Sequence, residues 1–243
     1  MNILHLISYG NDNFKNSKVR LFNECIESKF FHNINIYNYN DLDTNFVHDF
    51  EKIFRYPRGN GYWIWKPYLI KKKLEEINDG EIVIYLDAGC TLNKYATNKF
   101  NEYIELLNNY NIVCFNSGYP EKNYTTNEIF KQFNINENSN SYNSEQLIAT
   151  ALLIKKCKNT EYIFDNIMKI LYCNPLIITD FYNNDISNNN DFITNRHDQS
   201  IISLAIKEFG ENIKVIPKDE TWFVPFGNNE SLKYPFWATK LRI

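Results

Sequence analysis

The chain has 243 residues, 44% hydrophobic and 16% aromatic, which suits one α/β domain with an ample core and excludes wholesale disorder. Its 26 Lys and Arg against 29 Asp and Glu leave a formal charge of −3 without a basic stripe, so nucleic acid is not an expected partner. The five cysteines (Cys25, Cys90, Cys114, Cys157, Cys173) are odd in number, far apart and without CxxC spacing. That argues against a disulfide framework or a structural zinc site and for reduced thiols in an intracellular protein. No stretch approaches the roughly 20 apolar residues of a membrane span. The opening MNILHLISYG lacks the basic region of a secretory leader. A soluble, cytoplasmic protein without a transmembrane segment is the expectation.

In chain order, Asn2–Ser8 reads as a buried first strand, and Lys18–Ser28 as a helix with Val19, Phe22 and Ile26 on its apolar face. Ile34–Tyr39 alternates as a strand, and Leu42–Phe54 is a weaker helical stretch. Pro67 suits the first residue of a helix reaching Ile77, because its missing N–H has no helical partner there. Lys71-Lys72-Lys73 is then a solvated face of that helix, and Asp79-Gly80 ends it. Glu81–Asp87 (EIVIYLD) is apolar on both faces and predicts a central strand. Asn98–Leu107 reads as a helix and Ile112–Asn116 as a strand. Thr125 to Glu128 fits a capping box for a helix ending near Phe133. The asparagine-rich stretches NINENSNSYN and NNDISNNND read as loops, although an AT-rich genome would enrich asparagine too. Leu147–Ile154 predicts one short strand, Glu161–Leu171 an amphipathic helix, Asp198–Phe209 a helix stopped by Gly210, and Ile213–Ile216 a last strand. The aromatic tail from Trp222 is expected to pack back on the domain.

Repeated β–α units without a linker or internal repeat imply a single α/β domain, with a mostly parallel central sheet and helices on both faces. Ligands of such sheets bind outside the carboxyl ends of the strands. Asp87 stands there, followed by Ala88 and Gly89, which leave room for close approach. A carboxylate so placed could hold Mg²⁺ or Mn²⁺ against a diphosphate, and equally could cap the next turn. Asn195-Arg196-His197-Asp198-Gln199-Ser200 opens a helix. There His197 could meet a metal or an anion and Asp198 could act as a general base; taken alone, helix capping by Asp198 is the simpler reading. In RGNGYWIWKPYLI, Trp63 and Trp65 fit either a core or a pocket wall, while Lys66 at the helix start fits a phosphate or a sugar hydroxyl. GxGxxG, GxxxxGK[ST] and GxSxG are all missing, which disfavours dinucleotide, P-loop and serine-hydrolase chemistry.

Four motifs, GNGYWIWKP (Gly59–Pro67), IVIYLDAGCTLN (Ile82–Asn93), YTTNEIF (Tyr124–Phe130) and NRHDQSIISL (Asn195–Leu204), together with SKVRL and YPFWATKLR near the ends, carry a resemblance. The chain resembles small GT-A-type glycosyltransferases of large DNA viruses and bacterial polysaccharide clusters. The resemblance implies a GT-A-like fold, a nucleotide-sugar donor such as a UDP-sugar, a glycan or lipid-linked acceptor, and Mn²⁺ or Mg²⁺. It places Ser8, Tyr9, Gly61, Tyr62, Trp65, Lys66, Asp87, Ala88, Gly89 and Gln199 at the donor, with Asp87 and Asp198 in catalysis. Where the family commonly has Asp-x-Asp, this chain has Asp87 followed two later by Gly89, so His197 is the candidate second metal ligand beside Asp87. Asp198 would deprotonate the acceptor if the reaction inverts. The host cytoplasm follows if the source is viral, and WIWKPYLIKKKL could bring the protein to a membrane surface. The rival reading is a non-catalytic nucleotide-sugar or glycan-binding module on the same fold.

Overall fold

Four strands place apolar side chains on both of their faces, and that alternation organises everything else. The computed structural model describes residues 2–242. Its strands are β1 (Leu4–Tyr9), β2 (Asn33–Tyr37), β3 (Ile82–Leu86), β4 (Thr91–Leu92), β5 (Ile112–Pro120), β6 (Glu145–Leu147), β7 (Ala151–Lys155), β8 (Ile213–Ile216) and β9 (Phe236–Trp237). Seven of them form one sheet in the order β2-β1-β3-β7-β5-β6, with β8 also on β5. β1, β2, β3, β5 and β8 run in one direction and β6 and β7 oppose them, so the sheet is mixed but mostly parallel.

One face of the sheet presents Ile7, Val83, Tyr85, Leu152 and Cys114 to the helices Trp65–Glu76, Lys158–Cys173 and Asp198–Phe209. The other presents Leu6, Ile84, Leu153 and Phe115 to the helices Lys15–Ser28 and Thr97–Leu106. Helices thus cover both faces, as the β–α alternation implies. The tail returns as expected: β9 pairs antiparallel with β4, and Trp237 Nε1 donates to the Ser231 and Tyr234 carbonyls at 2.8 and 2.9 Å. No helix among the described residues is long and apolar enough to cross a membrane.

Several local expectations are corrected. Helix Lys15–Ser28 buries Ser17, Leu21 and Cys25, whereas Val19, Phe22 and Ile26 are exposed. Two small residues complete the buried stripe, and they do not register as apolar in a periodicity argument. The 147–154 run is broken: β6 ends at Leu147, β7 begins at Ala151, and the intervening residues turn so that the Thr150 carbonyl meets the Asp87 N–H at 3.0 Å. Thr126 caps the helix Asn127–Gln132, while Thr125 Oγ1 donates to the buried Glu121 at 2.7 Å. The helix containing Pro67 begins at Trp65, which puts the proline in the third position, still within the turn whose N–H groups lack helical partners.

Candidate functional site

The register of the parallel strands places the site. Ile7 of β1 lies beside Tyr85 of β3, so the chain leaves both strands at the same edge, with Tyr9 and Asp87 emerging as neighbours. Antiparallel β7 sets Ala151 beside Leu86, which brings residues 149–150 alongside Asp87. A cavity of about 710 Å³ opens at this edge, of the size that holds a cofactor or small ligand. Its wall includes Tyr9, Trp63, Trp65, Asp87, His197 and Asp198.

Lys66 sits beneath this wall, 3% exposed, and its ammonium meets three acceptors. They are Asp198 Oδ2 at 2.6 Å, Asp87 Oδ1 at 3.2 Å and the Ala149 carbonyl at 3.1 Å. Burial alone would lower the lysine pKa, but the Asp198 and Asp87 carboxylates overcome it and hold the pKa above the ordinary value. The ammonium is thus held by two ion pairs and one hydrogen bond. The expectation that Lys66 points at a donor phosphate is therefore corrected: it clamps two carboxylates together. Asp198 is buried, and desolvation pushes its pKa up to about 6 against the opposing pull of Lys66. Asp87 is a third exposed at its side chain, and Tyr85 Oη donates to its Oδ1 at 2.5 Å.

The aromatic motif builds the adjoining wall. Trp65 stacks on Tyr9 with ring centroids 4.0 Å apart, and its Nε1 donates to the Gly59 carbonyl at 3.0 Å. One face of Tyr9 is thus already covered. Trp63 lies over the His197 ring at 5.5 Å. The intervening turn carries positive φ at five consecutive residues, from Gly59 to Trp63. A Cβ on Gly59, whose φ is 57°, would stand 2.5 Å from the Trp63 indole. Gly59→Ala is accordingly expected to cost about 2 kcal/mol or more, combining a left-handed alanine with that overlap. Thermal unfolding would read it as a drop of roughly 4 °C or more; an unchanged melting temperature would refute the packing argument.

His197 holds φ 57° and ψ −120°, a conformation rare for a side-chain-bearing residue, immediately before the helix Asp198–Phe209. Asn195 fixes it by accepting from the His197 N–H at 3.0 Å and donating to the Ile177 and Thr179 carbonyls, each at 3.0 Å. The imidazole Nδ1 donates to the Ile178 carbonyl at 2.9 Å, which assigns the neutral tautomer with Nε2 as a buried acceptor. Burial and the nearby Arg58 lower its pKa to about 4, so the ring is neutral at physiological pH.

The expected metal pair does not form. His197 Nε2 turns toward Asp180 Oδ1, 3.7 Å away, while Asp87 Oδ1 is taken by Lys66 and Tyr85. Among the described residues no group of three His, Cys, Asp or Glu side chains could hold a metal ion. A divalent ion on Asp87 would also face the Lys66 ammonium across a few ångströms of poorly solvated space. The described residues therefore form no cage of their own for Mn²⁺ or Mg²⁺, and an ion here would rest on Asp87 and the donor's own phosphates.

Of the other expected donor residues, Ala88, Gly89 and Gln199 line the cavity, whereas Ser8, Gly61 and Tyr62 lie behind its wall. Tyr62 Oη donates to Asp180 at 3.0 Å, and the Ser8 hydroxyl is buried without a partner among the described residues. Gln199 is engaged in support: its Oε1 accepts from the Ala149 N–H at 3.3 Å and its Nε2 donates to Gln146 at 2.7 Å. Gln146 in turn donates to the fully buried Glu121 at 2.8 Å, and Ser203 and Lys207 of the same helix also bond that carboxylate. Sequence reasoning missed Arg58, Asn60, Asp180, Lys240 and Arg242. Arg58 and Asn60 stand inside the aromatic motif, and Lys240 and Arg242 inside YPFWATKLR, so proximity to those motifs was the available signal. Asp180 lies in a loop without periodicity and carried none.

No family model matches the chain, and no curated protein matches it in sequence. Solved structures do match. The bifunctional glycosyltransferase WbbM in its apo form aligns over 89% of this chain and 39% of its own, with 13% identity and a TM-score of 0.51. The galactosyltransferase LgtC, in complex with donor and acceptor sugar analogs, aligns over 87% of this chain and 72% of its own, with 12% identity and a TM-score of 0.50. A glycosyltransferase involved in glycosylation of the major capsid of PBCV-1 aligns over 97% and 93%, with 12% identity and a TM-score of 0.49. At such identities the likeness is one of fold. This chain has the GT-A-like α/β fold of those glycosyltransferases.

Proposed function

We propose that the chain is a glycosyltransferase, moving a sugar from a nucleotide-diphosphate donor to a hydroxyl of a glycan or lipid-linked acceptor. A UDP-sugar is the first donor to test. The observation that carries this reading is the convergence of Asp87 and Asp198 on Lys66 inside a cavity at the carboxyl ends of β1 and β3. Fold likeness supports the reading, although fold alone does not fix a function.

In the proposed reaction the bond between the anomeric carbon and the donor phosphate oxygen breaks, and its electron pair leaves with the nucleoside diphosphate. The acceptor oxygen bonds the anomeric carbon and loses its proton. Where the configuration inverts, that proton passes to Asp198; where it is retained, it passes to the departing phosphate, and Asp198 faces the positive charge developing at the anomeric carbon. Lys66 holds both carboxylates in place in either case. Asp87, with one oxygen engaged by Lys66 and Tyr85, offers its other oxygen to a ribose or sugar hydroxyl.

The test is a thermal-shift and donor-hydrolysis screen of UDP-, GDP- and dTDP-sugars. One donor is expected to stabilise the protein and to release free nucleotide slowly, faster once its acceptor is present. Stabilisation without release, even with acceptors, would favour the non-catalytic binding module. No response to any donor would overturn the reading.

A further inference from the structure

Residues 239–242 cross the loop that follows β3 like a strap. The Leu241 N–H and Thr239 Oγ1 both donate to the Gly89 carbonyl at 2.9 Å, and Ser17 Oγ donates to the Leu241 carbonyl at 2.9 Å. The crossing is close. A Cβ on Gly89 would stand 3.2 Å from the Leu241 carbonyl oxygen and 3.3 Å from Lys240 Cα. An acidic side chain two residues after Asp87 would therefore contend with the strap for the same space. Lys240 takes a left-handed conformation, φ 54°, in the middle of this crossing. Both Lys240 and Arg242 line the cavity.

Five cations line that cavity: Arg58, Lys66, Arg196, Lys240 and Arg242. Lys66 is engaged by Asp87 and Asp198, and Arg58 pairs with Asp180 at 2.9 Å. Arg196 lies between two rings, 3.6 Å from the centroid of Tyr124 and 4.5 Å from that of Tyr119. Lys240 and Arg242 rest only on aromatic faces, Trp222 at 4.7 Å and Phe14 at 5.4 Å. Neither has a carboxylate within ion-pair distance among the described residues. The strap thus carries two exposed cations that have no carboxylate partner among the described residues.

We propose that this strap takes the place of a divalent cation: Lys240 and Arg242 bind the diphosphate of the donor and neutralise the charge it gains on departure. The inference rests on the reading of the cavity as a nucleotide-sugar site. It accounts for two features at once, the glycine where a second carboxylate would stand and the lysine where a metal would meet Asp87 and Asp198. A guanidinium presents a planar fork that matches two phosphate oxygens, and an ammonium adds a point charge beside it.

The experiment titrates UDP, GDP and dTDP, and the matching nucleosides, into the wild-type protein and a K240A/R242A variant, in EDTA and then in Mn²⁺. Wild type is expected to bind one diphosphate in EDTA, with Mn²⁺ changing its Kd by less than about twofold. The double variant should lose about tenfold or more in diphosphate affinity, with nucleoside affinity unchanged. Both side chains are exposed, so the variant should melt with the wild type, and Lys240→Arg should keep diphosphate affinity. A wild type that binds only with Mn²⁺, or a double variant with undiminished affinity, overturns the strap and leaves the donor reading standing. A wild type that binds no diphosphate under any condition overturns both.

Discussion

Lys66→Met is expected to lower stability at pH 8 by about 3–5 kcal/mol, the usual cost of removing one partner from a buried charge cluster. In a protein of this size the melting temperature would fall by roughly 6–20 °C. The reason lies in what is left behind. Asp198 is 5% exposed and Asp87 stands beside it, and without the ammonium neither carboxylate has a cation. Lys66 is the main influence lowering the Asp198 pKa, while burial and Asp87 raise it, so the variant's Asp198 should titrate above its present value of about 6. The sign follows from linkage. With a folded-state pKa above the unfolded one, the native variant binds the extra proton, and its stability recovers as pH falls through that folded pKa. Unfolding curves at pH 8 and pH 5 should therefore differ much more from wild type at the higher pH. A second change, Asp198→Asn, should restore most of the loss by removing one of the two stranded charges. An equal loss at both pH values, without rescue, would show that Lys66 contributes packing and not charge balance.

This clamp also measures how far the sequence could be read. β3 was legible because an uninterrupted apolar run ending in aspartate has few other meanings, and the position of Asp87 at its carboxyl end followed. The two faces of the core followed from alternation in β1, β3, β5 and β7. Asp87, His197 and Asp198, each singled out in the sequence, line one cavity. What the sequence hid are roles set by distant partners. Lys66 reads as a phosphate ligand until Asp87, Ala149 and Asp198, from three separate segments, are found around its one ammonium group. His197 reads as a partner of Asp87 until its Nε2 is seen to face Asp180, 3.7 Å away. The exposed stripe of Val19, Phe22 and Ile26 shows the same limit on a helix: period identifies an apolar face, but the sheet selected the face that carries Leu21 and Cys25. The break between β6 and β7 follows from β5, whose first half pairs with β7 and second half with β6, and no local signal marks it.

Asp198→Asn should reduce turnover by about 10²–10⁴-fold, the range spanned by loss of a positioned proton acceptor, while diphosphate binding persists. The change nearly preserves shape, and the amide oxygen can still accept from Lys66, so a folding defect is not the expected cause. The wild-type pH profile supplies an independent check. Desolvation pushes the Asp198 pKa up to about 6, close enough to neutrality for effective proton transfer. Proton removal and stabilisation of positive charge at the anomeric carbon both require the carboxylate. kcat/KM should consequently fall as pH drops below about 6, tenfold for each unit once the protonated form dominates. His197, whose pKa burial lowers to about 4, stays neutral across that limb and cannot be its source. Asp87 is the remaining carboxylate in the wall, and it is distinguishable from Asp198 because only the Asp198→Asn variant should lose the limb along with its rate. A variant that keeps a wild-type rate would remove Asp198 from the reaction. A slow variant with the limb still in place would assign the titration to a different group and leave Asp198 as a partner that positions Lys66.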